Sequence, residues 1–87
     1  MSTWASVVIP NWNGAQHLPV CLDALRGQTY PHLEVILVDN ASTDGSQALL
    51  AEAYPEVRLL SLPRNVGLTG ANNAGFQAAR GEVLISL

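Results

Sequence analysis

The chain has 87 residues, 48% of them hydrophobic and 13% charged, with a formal net charge of −3. That length suits one small domain burying about 60–65% of its unfolded surface, and the apolar fraction excludes a disordered tail. Four Lys and Arg against seven Asp and Glu leave no basic stripe, which argues against DNA or RNA as a partner.

The single cysteine, Cys21, cannot close an internal disulfide, so the fold needs no oxidising compartment and a cytoplasmic location is expected. The longest apolar runs, such as 7–10 and 35–38, have strand length and fall far short of the roughly 20 residues of a membrane span. No Lys or Arg precedes Val7, so no secretory leader is read; membrane association is expected only through a segment outside these residues.

In chain order, strand-length apolar blocks alternate with segments of helical period, the pattern of βαβ units around a parallel sheet. The first strand, 6–9, is expected to stop at Pro10, which cannot donate to a ladder, before the turn Asn11-Trp12-Asn13-Gly14. Over 16–27, Leu18, Cys21, Leu22 and Leu25 recur on one helical face, making Cys21 a small core residue. Residues 33–38 are apolar on both faces, as in a central parallel strand. Asp44 and Gln47 read as a capping pair opening a helix that runs to Tyr54. The strand 57–62 carries Arg58 and Ser61 and belongs at a sheet edge. A third helix over 69–80 presents Ala71, Ala74, Gly75 and Ala78 as a small-residue face toward the sheet, and Gly81 should end it in the left-handed conformation. A fourth strand begins at Glu82 and is still running at Leu87, so the chain is expected to be the first part of a longer protein. The fold expected is α/β, a Rossmann-like three-layer parallel sheet of order 3-2-1-4.

Ligands of open parallel sheets bind beyond the carboxyl ends of the strands. The first such turn lacks G-x-G-x-x-G, which argues against NAD and FAD. Gly70 and Gly75 have Walker A spacing, but Phe76 and Gln77 stand where Lys and Ser or Thr must be. His17, Cys21 and His32 do not have zinc-ligand spacing. What is left is a rim of amides and acids that includes Asn11, Asn13, Asp39, Asn40, Asp44 and Asn73. Asp39 could accept from a ligand N–H while Trp12 stacks on a planar base; equally, Asp39 and Asn40 could form only an Asx turn with Trp12 covering the sheet end. No catalytic residue and no metal ligand is assigned within the chain. Asn40-Ala41-Ser42 also has the form of an N-glycosylation acceptor, a match expected to be fortuitous without a leader.

Several segments together carry a resemblance: Val7-Val8-Ile9-Pro10-Asn11-Trp12-Asn13, Cys21-Leu22 to Gln28-Thr29-Tyr30, Glu34 through Val38-Asp39-Asn40-Ala41-Ser42-Thr43-Asp44-Gly45-Ser46, and Arg64-Asn65-Val66-Gly67 through Asn73-Ala74-Gly75 to Arg80-Gly81-Glu82. In order and spacing they resemble the family 2 inverting glycosyltransferases of GT-A fold, the rhamnosyltransferase-like members most of all. The resemblance implies a nucleotide-sugar-binding N-terminal part, spanning 1–87 and cut within the fourth strand. It implies that Pro10, Trp12 and Asp39 bind the base and that Asn73 lies near the donor. Uracil and thymine each present an imide N–H to a carboxylate. It implies transfer from a UDP or dTDP sugar to a glycan or lipid-linked acceptor hydroxyl with inversion. Mg²⁺ or Mn²⁺ on a D-x-D motif and a general base would both lie beyond Leu87, leaving the isolated chain metal-free and inactive. Trp12 stands where many members have Tyr, and no basic residue stands near Asn72. The alternatives are a nucleotidyltransferase, disfavoured because 11–16 holds no Lys or Arg, and a non-catalytic interaction module. An open edge on the fourth strand, with Val83, Leu84, Ile85 and Leu87, is expected to drive self-association.

Overall fold

The computed structural model describes residues 4–27 and 32–81, and the backbone of 83–86. The Gln28-Thr29-Tyr30 motif, Glu82, Leu87 and the side chains of the last strand lie outside the described residues. Seven elements follow in alternation: β1 (Ala5–Asn11), α1 (Leu18–Arg26), β2 (Leu33–Asp39), α2 (Ser46–Ala53), β3 (Arg58–Ser61), α3 (Gly67–Ala78) and β4 (Val83–Ser86). All strand pairs are parallel, and the sheet runs β3-β2-β1-β4.

β1 does not stop at Pro10 but passes through it to Asn11, opposite Val38 and Asp39 of β2. The reason is directional. In a parallel strand successive residues turn their backbone polar groups to opposite sides. The Asn11 carbonyl accepts from Asn40 N–H on the β2 side, so Pro10 turns toward β4, whose pairing with β1 ends at Val8. Among the described residues, the N–H that proline lacks has no partner to lose.

The two sheet faces carry separate cores. Val7, Ile9 and Leu37 pack with Leu18 and Leu22 of α1 and Leu50 of α2, while Val8, Ile36 and Val38 meet Ala71 of α3 on the other face. Helices therefore cover both faces, giving three layers. Cys21 is half-buried and packs against the first core, as its place on the apolar stripe indicates. α3 comes very close to the sheet at Gly75: an added Cβ would collide with Val8 Cγ1 and stand 3.0 Å from Val38 Cγ2.

Helix ends differ from the sequence expectations. α1 begins at Leu18, after Gly14 O has accepted from the N–H groups of both His17 and Leu18. α2 is capped by Gly45 in the left-handed region at φ 86°, and Asp44 Oδ1 accepts from Ser46 N–H (3.0 Å) and Ser46 Oγ (2.5 Å). Gln47 does not close the expected capping pair; its amide reaches Asp39 instead. α3 starts two residues earlier than expected and ends at Ala78, with Ala79 extended. Gly81 is not a left-handed cap. It is required by space, because a Cβ there would lie 2.5 Å from Ser6 Oγ and 2.8 Å from Ser6 N.

Candidate nucleotide site at the carboxyl end of the sheet

The loops after β1 and β2 are tied together by side chains that short polar residues place at the strand ends. Asn11 Nδ2 donates to Asp39 Oδ1 (2.9 Å) and to Ser42 Oγ (3.3 Å). Asp39 Oδ2 accepts from Ser42 N–H (2.9 Å) and Gln47 Nε2 (2.8 Å). The ties run in both directions: Asn13 N–H donates to Ser42 Oγ and Thr43 N–H to Asn13 Oδ1, each at 2.8 Å. Ala15 N–H donates to Asp44 Oδ2 (2.9 Å). Two non-glycine residues of this region, Asn13 (φ 52°) and Ala41 (φ 65°), adopt left-handed backbone, a conformation that persists where its surroundings over-determine it.

Asp39 is fully buried. Burial alone would push its carboxyl up, but the hydrogen bonds from Gln47, Ser42 and Asn11 outweigh it and hold the group below the usual carboxylate range. Asp44 is also held low, by Ser46 and by the Ala15 N–H. These residues do more than the sequence reading gave them. Asp44 was expected to cap and turn; it also clips the first loop to the second. Gln47 and Ser42 were not singled out as braces, since nothing in their local spacing signals a partner across two loops.

Beside this brace lies a hollow of about 230 Å³. Pro10, Asn11 and Trp12 line it from β1 and its loop, Asn40 from the end of β2, and Asn65, Gly67 and Leu68 from the start of α3. Trp12, flanked by the two tethered asparagines, leaves 59% of its surface exposed. Asn40 joins the walls, its Oδ1 accepting from Val66 N–H (2.9 Å) and its Nδ2 donating to Gly67 O (3.1 Å).

The structure thus brings Pro10 and Trp12 together at one hollow. It places the Asp39 carboxylate beneath the loops, Oδ1 accepting one hydrogen bond and Oδ2 two, and Asn40, itself buried, lines the hollow from that turn. Asn73 lies on the exposed side of α3, outside this lining. Gly70 and Gly75 lie inside α3 rather than in a phosphate-cradling loop. Among the described residues no three His, Cys, Asp or Glu side chains gather to hold a metal ion. Among the described residues no helix is long and apolar enough to cross a membrane.

A three-layer parallel sheet with a small ligand-sized hollow at its carboxyl end is the architecture of a nucleotide-binding α/β domain. Comparison with known proteins narrows that class. Residues 6–87 match the glycosyl transferase family 2 domain, and the chain belongs to that family. It is 44% identical over 89 residues to the undecaprenyl-phosphate 4-deoxy-4-formamido-L-arabinose transferase of Pectobacterium carotovorum, matching 94% of this chain and 27% of that protein. Among solved structures, it is 32% identical to the Pyrobaculum calidifontis mannosyltransferase PcManGT in complex with GDP-Man and Mn²⁺, with a TM-score of 0.82 over 97% of this chain and 26% of that one. S. aureus TarS 1-349 in complex with UDP-GlcNAc is 25% identical, with a TM-score of 0.89 over 97% and 26%. These neighbours share the GT-A-like fold. The chain spans about a quarter of the length of the curated relatives it matches.

Proposed function

We propose that the protein supplies the nucleotide-binding part of an inverting glycosyltransferase of rhamnosyltransferase-like type, taking a UDP or dTDP sugar as donor. The observation that supports this most directly is the hollow at the carboxyl end of β1 and β2, where an exposed indole stands beside amide groups in a family 2 chain. In this reading the pyrimidine stacks on Trp12 and packs against Pro10, while Asp39 acts through Asn11 and the loop it braces rather than by touching the ring. Asn73 is proposed to approach the donor beyond the base.

Inversion follows from a single displacement: the acceptor hydroxyl attacks the anomeric carbon as the nucleoside diphosphate leaves from the opposite face, and a base takes the hydroxyl proton. A divalent ion would neutralise the leaving diphosphate. The undecaprenyl-phosphate transferase makes a lipid-linked acceptor reasonable and the mannosyltransferase complex makes Mn²⁺ reasonable; a glycan hydroxyl as acceptor and Mg²⁺ as metal are proposed beside them. Both the metal ligands and the general base are proposed to come from sequence beyond Leu87, so the 87-residue chain alone should bind nucleotide without transferring sugar. The lone Cys21 suits a cytoplasmic setting. β4 pairs with β1 alone among the described strands, and we propose that its second edge promotes self-association; light scattering that shows only monomer at high concentration would refute this.

Titration with UDP, dTDP, GDP and ADP tests the central claim. Selective binding of uridine and thymidine nucleotides is the expected result. Preference for GDP would overturn the donor assignment, and no binding by any nucleotide would favour a non-catalytic interaction module.

A further inference from the structure

Leu68 is the feature of this site that neither the motifs nor the brace explains. It sits in the first turn of α3, and 68% of its surface is exposed. An exposed leucine by itself needs no explanation. This one, however, borders the same hollow as Trp12, so two of the large exposed apolar side chains converge on one small cavity.

Its position is fixed from several sides. Asn40 holds Val66 N–H and Gly67 O, and Asn65 Oδ1 accepts from Gly67 N–H (2.8 Å). Gly67 takes φ 79°, a turn that sets the entry into α3 and that few other residues adopt. Exposed apolar surface on an immobilised backbone is ready to be covered by a ligand without a further ordering cost.

The lining names the occupant. Among the described residues no charged side chain lines the hollow, so the lining offers no cation to pair with a diphosphate. Its volume, about 230 Å³, is smaller than the roughly 300–1,000 Å³ of sites that enclose a whole drug-sized ligand. The cavity therefore suits one neutral ring with its phosphates and sugar outside.

We propose that Leu68 is a base-contacting residue of the nucleotide site, an apolar wall that packs on the pyrimidine ring held at Trp12. This rests on the functional reading above and adds a contact that reading does not contain. Because Leu68 would touch the ring and not the phosphates, its removal should weaken uridine and UDP by the same factor. Losing a large part of one leucine's burial corresponds to about a tenfold loss of affinity.

The test compares wild type, Leu68→Ala, Leu68→Met and Trp12→Ala by calorimetric titration with uridine and with UDP, with thermal melting alongside. Leu68→Ala is expected to bind both ligands about tenfold more weakly, and Leu68→Met, which keeps the wall, to stay within about threefold of wild type. Melting should be little changed, since the side chain is mostly exposed. If Leu68→Ala binds both ligands as wild type does while Trp12→Ala loses them, the inference is overturned and the site reading stands. If Leu68→Ala weakens UDP but not uridine, the wall serves the phosphates and the proposal is also overturned. Wild type that binds neither ligand would remove the site reading and the inference together.

Discussion

β2 carries a carboxylate near each end. At the carboxyl end Asp39 accepts from Asn11, Ser42 and Gln47. At the amino end Glu34 Oε1 accepts from Ser6 Oγ (2.8 Å) and Arg80 N–H (2.9 Å), and its second oxygen lies 3.5 Å from Arg58 Nη1. A hollow of about 540 Å³, bordered by Trp4, Glu34, Glu56, Arg58 and Arg80, opens at this amino end, and it is the larger of the two. Size alone would place the ligand there. The bonding says otherwise: Glu34 ties the residues that follow α3 to β1, through Arg80 N–H and through Ser6 Oγ, which in turn accepts from Gly81 N–H (2.8 Å). That network closes the path of the chain into β4. The Asp39 network instead fixes two loops and leaves an indole standing free beside them. A satisfied carboxylate is a brace at both ends, and the binding capacity lies in the groups the brace positions.

Removing Asp39 should break this contrast most severely. In Asp39→Ala three donors, two of them side-chain amides, lose their acceptor inside the fold, at a cost on the order of 3 kcal/mol or more. Denaturant titration should show that loss, and nucleotide affinity should fall even under conditions where the variant is folded. The acid limb sharpens the point. Both Asp39 and Glu34 are held below the ordinary carboxylate range in the fold, so the unfolded chain binds more protons as the pH drops. Their contribution is essentially complete above about pH 5 and is lost as the pH falls through the folded values. Stability measured from pH 6 down to pH 2 should decline in wild type and decline less steeply in Asp39→Asn, which has no such group to titrate.

The brace is also where sequence reading met its limit. The alternation of strands and helices, the apolar stripe of α1 and the small-residue face of α3 were legible because each depends on periodicity within one segment. Trp12 was legible as a candidate because it follows a buried strand, and Pro10 only through the family resemblance. The burial of the Asp39 carboxylate was not, because it depends on Asn11, 28 residues away, and on Gln47, whose spacing from Asp44 also suits a local cap. Gly81 was misread for a similar reason: its need arises from Ser6, 75 positions earlier, and not from a helix end.

At the amino end the expected effects are smaller and leave nucleotide binding alone. Gly81→Ala would press a methyl group against Ser6 Oγ and the backbone of Ala5 and Ser6, with a cost of about 1–3 kcal/mol as the strand shifts. Glu34→Gln keeps an acceptor for Ser6 and Arg80 but gives up the pair with Arg58, whose side chain is 41% exposed, so the loss should be no more than about 1 kcal/mol. Nucleotide titration of both variants separates the two ends. A clear loss of affinity in Gly81→Ala at unchanged fold would mean that the amino-end network also shapes the site.

The smallest effect on stability falls back at the carboxyl end, at Ala41. It lies between Asn40, which lines the hollow, and Ser42, which ties the loops, and its φ of 65° strains any residue with a Cβ. Replacing it by glycine relieves about 1 kcal/mol of left-handed strain but frees the unfolded chain by about 0.4–1 kcal/mol, so the net change should be within a few tenths. Affinity need not follow stability. If the strained alanine keeps the turn in one conformation, Ala41→Gly should unfold at the same denaturant concentration as wild type and still bind UDP more weakly. Equal affinity in the two proteins would show that the hydrogen bonds from Asn11, Asn13 and Gln47 hold the loop without help from the backbone.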